Sequence, residues 1–374
     1  MASPAPALTA VEKILALKSG KAAVRPGDVV YPDPDFIMIH DGVVMGAKRE
    51  LDQLGIRRLA APDKVIMVTD HDVIYGSARA AERGAFNREA AKAWGVKNFF
   101  DVGRGGHGHI FPMESGMLLP GMFYFDNDRH ATNAGAIGAF GFRMGSEISR
   151  VLEYAGELDQ FSLAARAALC SSPTEMRAYG VFFPPSAAIL EQARAQSKKP
   201  FAPVYADVNA QYETACEIDV SALEPQVATP GGVQNAVKLS RVAGTRVSHA
   251  FIGSCGSGMW EDMAQAGAVL KGRRVAPQVR LFIAPGSEAS LQRMAREGLL
   301  QTFIEAGVVM LPPGCGPCND AVIGPVHAGE VSISTAANNN AGRFGARDAQ
   351  LYLGSPATVA ASAVAGEIID ARNL

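Results

Sequence analysis

The chain has 374 residues, 48% of them hydrophobic, so it can bury a sizeable core and is long enough for two or three α/β units. Its 35 basic residues nearly balance 37 acidic ones and form no basic stripe, which argues against a dedicated nucleic-acid surface. We find no run of about 18 apolar residues and no charged segment that leads into an apolar one at the start. We therefore expect neither a membrane span nor a secretory signal.

Helices and short buried strands alternate in the first part of the chain. Helices are predicted over residues 8–17 and 77–94, and apolar runs predict buried strands over residues 64–69 and 99–102. The second of these strands leads into a loop that is rich in glycine and histidine. Buried strands that alternate with helices indicate parallel or mixed sheets covered by helices, so the predicted fold class is α/β.

The last part of the chain repeats this alternation. Strands are predicted over residues 248–252 and 279–283, and helices over residues 261–270 and 291–306. Before it, turn-forming and polar residues are more frequent, and the Thr-Pro-Gly-Gly segment at 229–232 predicts a linker.

These changes of character divide the chain into three predicted domains. We expect an N-terminal α/β domain over residues 1–160, a small middle domain over residues 161–232 and a C-terminal α/β domain over residues 233–374.

Five cysteines, an odd number in a large chain, favour a reducing compartment, and we expect the chain in the cytoplasm. Cys315 and Cys318 form a C-x-x-C pair in a loop. Four interpretations stay open: a redox dithiol, half of a zinc site, two ligands of an iron–sulfur cluster, or two neighbouring cysteines without a function. A thioredoxin-like role fits poorly, because Pro-Pro-Gly precedes the pair and no helix clearly starts between the thiols.

Cys255 adds a third thiol at the end of a predicted strand, inside Phe-Ile-Gly-Ser-Cys-Gly-Ser-Gly. Small flanking residues allow a close backbone approach, and the carboxyl ends of strands are where α/β proteins bind ligands. Three thiolates would hold three irons of a cubane cluster and leave the fourth iron open as a Lewis acid for a substrate hydroxyl and carboxylate. The flanks of Cys170 and Cys216 predict buried or structural residues.

Several histidines follow apolar strands in loops that contain carboxylates or glycines; they are His71, His107, His109 and His130. A carboxylate partner fixes the tautomer of a histidine and moves its pKa towards the operating pH, as proton transfer to a leaving hydroxide requires. A lone histidine is more often structural, but several in such loops favour catalysis.

Motifs along nearly the whole chain resemble, in order, the aconitase superfamily, and in particular the large subunit of isopropylmalate dehydratase. Cys255 lies in Phe-Ile-Gly-Ser-Cys-Gly-Ser-Gly-Met-Trp-Glu-Asp-Met, which is similar to the first cluster-cysteine segment of that family. Cys315 and Cys318 lie in Pro-Pro-Gly-Cys-Gly-Pro-Cys, which resembles the second. Asp128 and His130 lie in a segment similar to the family's Asp-Ser-His motif, and Leu-Gly-Ser-Pro-Ala-Thr-Val-Ala-Ala-Ser resembles its closing helix.

The resemblance implies three α/β domains around a [4Fe-4S] cluster held by Cys255, Cys315 and Cys318. It implies a hydro-lyase that adds or removes water on a hydroxy di- or tricarboxylate. The expected catalytic residues are Asp70, His71, His109, Asp128, His130 and Glu175. His109 is preferred to His107 because it precedes Glu114 by five residues, as in related dehydratases, and His107 is predicted to be a loop residue. For Glu175, a solvated helix carboxylate is the alternative.

Substrate-binding positions follow from the same resemblance. Arg343 matches a family arginine, and the pair His40-Asp41 falls where the family places a substrate-contacting residue; of the two, we assign His40. Asn338 stands where a second substrate arginine is expected, and Gly256-Ser257 replaces the usual Thr-Asn pair, so we assign Asn338 and Ser257 to substrate binding as well. A long stretch typical of the middle domain is also absent between about residues 156 and 162. These departures indicate a substrate other than isopropylmalate or citrate, or a degenerate site.

The family's small swivelling domain, which supplies a serine base, is absent from these residues, so the resemblance implies a separate small-subunit partner. Two other function classes stay open. A cluster-free homologue can act as a regulatory RNA-binding protein, although the balanced charge argues against it. An electron carrier would gain from a fourth cysteine close to the other three.

Overall fold

The computed structural model describes residues 7–143, 150–318 and 323–374. Helices in this part begin and end at recognisable capping residues: Ser77 caps the N-terminus of one helix, and Gly95 ends it in the left-handed conformation. The helices are α1 (Ala10–Lys18), α2 (Val44–Gln53), α3 (Ala78–Trp94), α4 (Phe111–Glu114), α5 (Leu163–Glu175), α6 (Ala187–Gln196), α7 (Trp260–Leu270), α8 (Glu288–Arg296), α9 (Leu299–Ala306) and α10 (Pro356–Ala365).

Short apolar runs form the strands, most of which are buried. They are β1 (Phe36–His40), β2 (Val65–Val68), β3 (Asn98–Phe100), β4 (Phe123–Asp126), β5 (Phe140–Arg143), β6 (Arg150–Glu153), β7 (Ala178–Phe182), β8 (Gln226–Ala228), β9 (Ala236–Lys238), β10 (His249–Ile252), β11 (Arg280–Ile283), β12 (Val309–Met310), β13 (Val331–Ser334) and β14 (Gln350–Leu353). The chain forms two compact units, the first made of Met1–Met38 and Pro112–Leu223 and the second of Ile39–Phe111 and Glu224–Leu374.

In the first unit, β4 pairs in parallel with both β1 and β5, and β6 pairs in parallel with β7. A 3₁₀ helix over Arg129–Ile137 follows β4 and packs against α5 and β7. The core of this unit includes Ile14, Phe123, Phe140 and Phe182. Burial of these large side chains stabilises the arrangement by roughly 1.5–3 kcal/mol for each residue.

A buried arginine holds the α5 region of the first unit together. Arg166 is 0% exposed, and its guanidinium donates hydrogen bonds of 2.9–3.0 Å to the carbonyl oxygens of Leu158, Phe161 and Pro184. The guanidinium carbon also lies 5.0 Å from the ring centre of Phe183, a cation–π contact. Burial lowers the pKa of Arg166, but the group stays protonated.

We expect Arg166→Met to destabilise the chain by about 3 kcal/mol or more, because three carbonyl groups lose their charged donor. The urea-unfolding midpoint measures this change. Arg194→Met is the matched control, since Arg194 is exposed on α6 of the same unit. Equal midpoints for the two variants would contradict a structural role for the buried guanidinium.

The second unit contains a seven-stranded sheet in the order β12-β11-β10-β13-β14-β8-β9. Its first five strands are parallel, and β8 and β9 add an antiparallel hairpin at the β14 edge. Helices α7, α9 and α10 cover the sheet, with Ile252, Met263, Phe303, Ile333 and Val359 in the shared core. The same unit holds the parallel pair β2–β3. The predicted α/β class with parallel and mixed sheets is confirmed.

Two local predictions were wrong. The helix predicted over residues 291–306 is two helices, α8 and α9, because Gly298 between them adopts a left-handed φ of 77°. The segment at 229–232 is not a linker but the turn of the β8–β9 hairpin, to which Asn339 is bonded through Thr229.

Cys170 is buried, as the sequence predicted, whereas Cys216 is exposed. The division at residues 160 and 232 stays a prediction. In the described part of the chain, no helix is long and apolar enough to cross a membrane.

Candidate active site

The candidate site of the second unit lies at the carboxyl ends of its parallel strands, where side chains from successive loops converge. Cys255 follows β10, Cys315 and Cys318 follow β12, and Arg343 belongs to the loop after β13. Asp70 and His71 follow β2 in the same way, and His107 and His109 follow β3. Residues that are far apart in sequence therefore converge because each of them follows the carboxyl end of a parallel strand.

The three thiols are buried, with 2–5% of each residue exposed. Contact with Cys318, burial, and the nearby Asp70 and Cys255 raise the pKa of Cys315 well above its usual value. The guanidinium of Arg343 donates a hydrogen bond of 3.5 Å to Sγ of Cys318. Several buried thiolates cannot coexist without a cation, so this donor set suits a thiophilic metal group that replaces the thiol protons.

The residue before Cys255 is held in a strained conformation. Ser254 has a φ of 73°, which a non-glycine residue adopts at a cost of about 1–3 kcal/mol. Thr335, at the end of β13, accepts from the backbone N–H of Gly253 at 2.9 Å and donates to its carbonyl oxygen at 3.0 Å. The neighbouring loop therefore fixes the turn that presents Cys255.

Asp70 is a fully buried carboxylate between two imidazoles. Nδ1 of His40 lies 3.0 Å from both of its oxygens, and Nδ1 of His71 lies 2.7 Å from Oδ1. The backbone N–H of Gly108 donates to Oδ2 at 2.8 Å. Burial alone would raise the pKa of Asp70, but His40 and His71 hold it well below its usual value. Asp70 is therefore an anion that orients both rings.

Asp41 provides a second carboxylate for His71. Its Oδ2 accepts from the backbone N–H groups of His71 at 3.3 Å and Asp72 at 2.8 Å, and its Oδ1 lies 3.2 Å from Nδ1 of His71. Burial opposes protonation of His71, but Asp70 and Asp41 together raise its pKa to about 10. The side chain of His71 is 24% exposed, so this imidazolium is accessible to a ligand.

His107 and His109 lie in the loop after β3, and both are buried. Nδ1 of His107 accepts from the backbone N–H of His109 at 3.3 Å. Burial lowers the pKa of His107 well below its usual value, although Asp70 opposes this shift, so the ring is neutral. The ring centres of His40 and His109 are 4.7 Å apart, which brings His109 beside the Asp70 cluster.

Backbone hydrogen bonds join the histidine loops to the cysteine loops. The N–H of Cys315 donates to the carbonyl oxygen of Asp70 at 2.8 Å, and the N–H of His107 donates to that of Gly286 at 2.8 Å. Glycine is required at Gly314, where φ is 156° and a Cβ atom would lie 2.7 Å from the Asp70 oxygen. The acid–base cluster and the thiols are thus parts of one packed site within the second unit.

The first unit also contains acid–base residues that contact one another. Asp128 caps the 3₁₀ helix after β4, and its Oδ1 accepts from the N–H of His130 at 2.9 Å and lies 3.1 Å from its Nδ1. Nε2 of His130 lies 3.5 Å from Oε1 of Glu175, the last residue of α5. Glu175 is thus paired with a histidine and is not a solvated helix carboxylate.

Comparisons with known proteins assign the family. A family model described as "Aconitase family (aconitate hydratase)" matches residues 240–366. The 3-isopropylmalate dehydratase large subunit 1 of Methanopyrus kandleri is 34% identical over 414 residues, which cover 97% of this chain and 99% of that protein. The chain belongs to the aconitase family. The family and the enzyme class that the sequence predicted, a hydro-lyase, are confirmed.

Other relatives of this aconitase-family chain carry different names. The homoaconitase large subunit of Thermus thermophilus is 34% identical over 417 residues, which cover 98% of each protein. Among solved structures, the holo-form of Thermococcus kodakaraensis aconitase X is similar at a TM-score of 0.44, with 11% identity over 88% of each chain.

In this aconitase-family chain, the predicted residues come from both units. The second unit brings Asp70, His71 and His109 together with His40, and it places the three cysteines beside Arg343. Asp128 and Glu175 both lie against His130 in the first unit. Ser257 and Asn338 are buried in the loops after β10 and β13, close in sequence to Cys255 and Arg343.

The sequence did not predict the role of one residue of the site, and it set another aside. Asp41 was noted only beside His40, and its contact with His71 was not predicted. His107 was predicted to be a loop residue, and it does lie in a loop, but it is buried beside the Asp70 cluster. The run Gly-Gly-His-Gly-His contained the signal, because flanking glycines allow a polar side chain to be packed inside.

Proposed function

We propose that this chain is the large subunit of an iron–sulfur hydro-lyase that adds or removes water on a hydroxy di- or tricarboxylate. The observation that carries the proposal is the hydrogen bond from the Cys315 N–H to the Asp70 carbonyl oxygen, which joins the thiols to the buried acid–base cluster. The names of the relatives, all large subunits, support a separate small subunit as partner. A cytoplasmic location stays a prediction.

Cys255, Cys315 and Cys318 would hold a [4Fe-4S] cluster. Their burial, the raised pKa of Cys315 and the soft thiol donors fit such a group, because iron replaces the thiol protons. When bound, a cluster with three protein ligands supplies an open iron that acts as a Lewis acid towards a substrate hydroxyl and carboxylate.

His71 would be the proton donor to the departing hydroxyl group. Asp70 accepts from its Nδ1, which leaves Nε2–H directed away from the carboxylate. A pKa of about 10 keeps the ring protonated at neutral pH, so it can donate this proton and release water. In the reverse reaction the neutral ring takes a proton from water. His130, with Asp128 and Glu175, keeps the catalytic role that the resemblance implies, as a prediction.

Arg343 would bind a substrate carboxylate beside the thiols, since its guanidinium already contacts Cys318. Asn338 provides an uncharged amide, so we propose a substrate that differs from isopropylmalate and citrate in the number or position of its carboxylates. We expect Arg343→Lys to raise KM by at least about tenfold, because lysine lacks the planar two-pronged donor.

Steady-state kinetics with the active substrate measure this change. Arg347→Lys is the control, because Arg347 is exposed four residues further along the same loop. Equal KM values for both variants would contradict carboxylate binding by Arg343.

The proposed function is tested with the anaerobically purified chain. Iron and sulfide analysis, and electron paramagnetic resonance (EPR) with and without candidate hydroxy-dicarboxylates, should show a three-iron signal after mild oxidation. Ferrous iron should abolish that signal, and one acid should perturb the restored cluster. Zinc or no metal at the three thiols after reconstitution would overturn the proposal.

A further inference from the structure

His107 has a buried ring nitrogen that the acid–base cluster does not use. The residue is 2% exposed, and within the described part of the chain its Nε2 has no hydrogen-bond partner. Buried polar atoms almost always have a partner, and an unmet buried donor costs about 1–3 kcal/mol. Such an atom therefore indicates a group that binds next to it.

The tautomer of His107 follows from its contacts. Nδ1 accepts from the His109 N–H at 3.3 Å, so Nδ1 carries no proton in the neutral ring. Asp70 does not accept a hydrogen bond from Nδ1, because Oδ2 of Asp70 lies 3.8 Å from that nitrogen. This oxygen already accepts from the N–H of Gly108 and contacts His40. Nε2 of His107 is therefore a hydrogen-bond donor that needs an acceptor.

The position of the loop indicates which acceptor this is. The His107 N–H is bonded to Gly286, and the Gly286 N–H is bonded to Gly258, three residues after Cys255. On the other side, Asp70 is bonded to Cys315. The loop of His107 is thus fixed to both cysteine segments. The acceptor of a donor that is buried so completely is more readily a resident group than a substrate that enters from solvent.

Resting on the proposed function, we infer that Nε2–H of His107 donates a hydrogen bond to a sulfur atom of the bound iron–sulfur cluster. Hydrogen bonds to cluster sulfurs stabilise the more negative, reduced state and so raise the reduction potential. His107 would then make the cluster harder to oxidise, a positioning and tuning role that differs from proton transfer to substrate.

The test compares reconstituted, substrate-free wild-type protein with His107→Phe and His107→Gln. Phenylalanine fills a similar volume without a donor, whereas the side-chain amide of glutamine can place a donor near the position of Nε2. We expect His107→Phe to shift the midpoint potential of the cluster to a more negative value and to accelerate its loss in air. His107→Gln should restore at least part of both properties.

A second measurement does not depend on the folding of the phenylalanine variant. In wild-type protein labelled with ¹⁵N-histidine, pulsed EPR should detect an exchangeable proton and a nitrogen coupled to the cluster, and His107→Gln should lose the labelled nitrogen coupling. An unchanged potential, or a change confined to KM, would overturn the inference and indicate a water or the substrate as acceptor. If the wild-type protein forms no cluster, the proposed function fails first, and that result is visible before any variant is made.

Discussion

Replacing Asp70 by asparagine is expected to lower kcat by at least about 100-fold, the scale of one positioned acid–base group. The carboxylate contacts Nδ1 of both His40 and His71, and it is fully buried. An asparagine side chain keeps the volume but removes the negative charge that holds His71 in its protonated form. The kcat of the chain assembled with the proposed small subunit measures the loss.

The pH dependence identifies the cause of that loss. His71 acts as an acid only when it is protonated, and its pKa is raised from 6.5 to about 10, so activity should persist through neutral pH and decline as the pH rises towards 10. In Asp70→Asn, Asp41 remains but the Asp70 charge is gone, so the same decline should begin at lower pH. The pH profile of kcat, measured from below neutral to alkaline pH, reports this shift.

Asp72→Asn is the matched control for this experiment. Asp72 is also buried and lies two residues further along the same loop, but its carboxylate pairs with Arg83 rather than with a histidine. In this variant, kcat should decline over the same alkaline pH range as in wild-type protein, even if the variant is less stable. If kcat of Asp70→Asn declines at the same alkaline pH as kcat of wild-type protein, His71 is not the group whose protonation limits kcat.

Most of the regular structure follows from local patterns. The strands before the site loops are short apolar runs that end at small or acidic residues, such as Val65–Val68 before Thr69 and Asp70. The long helix α3 has both its caps in the sequence, Ser77 and Gly95. The break between α8 and α9 was missed because apolar residues continue on both sides of Gly298, and a helical pattern tolerates a single glycine.

The site was predictable to the extent that its residue types are unusual for their positions. Three cysteines among glycines, and the adjacent Asp70-His71 pair, have few structural uses. The contact of Asp41 with His71 had no such signal, because it joins residues 30 apart through the ends of two strands. The orientation of the His107 ring depends equally on tertiary packing, since the neighbouring loops fix its backbone.

Removal of one proposed cluster ligand is expected to have the largest effect of all. Cys315→Ala leaves Cys255 and Cys318, and two thiolates hold a cubane cluster poorly when each is meant to bind one iron. We expect the iron content and the visible charge-transfer absorbance to fall to near background after anaerobic reconstitution. Activity should fall by at least about 1000-fold, because a Lewis acid contributes several kcal/mol to such a reaction.

Cys170→Ala is the control that distinguishes the effect of losing a cluster ligand from the effect of losing any buried thiol. Cys170 is fully buried in the first unit beside Arg166, so the same substitution there removes a sulfur of similar burial but no proposed ligand. That variant should keep its iron content and its activity once it is folded. If Cys315→Ala kept the cluster, Cys315 could not be one of its ligands. If both variants lost it equally, the loss could not be assigned to a missing ligand. A loss in Cys315→Ala but not in Cys170→Ala would instead tie cluster assembly to the loop that also contacts Asp70.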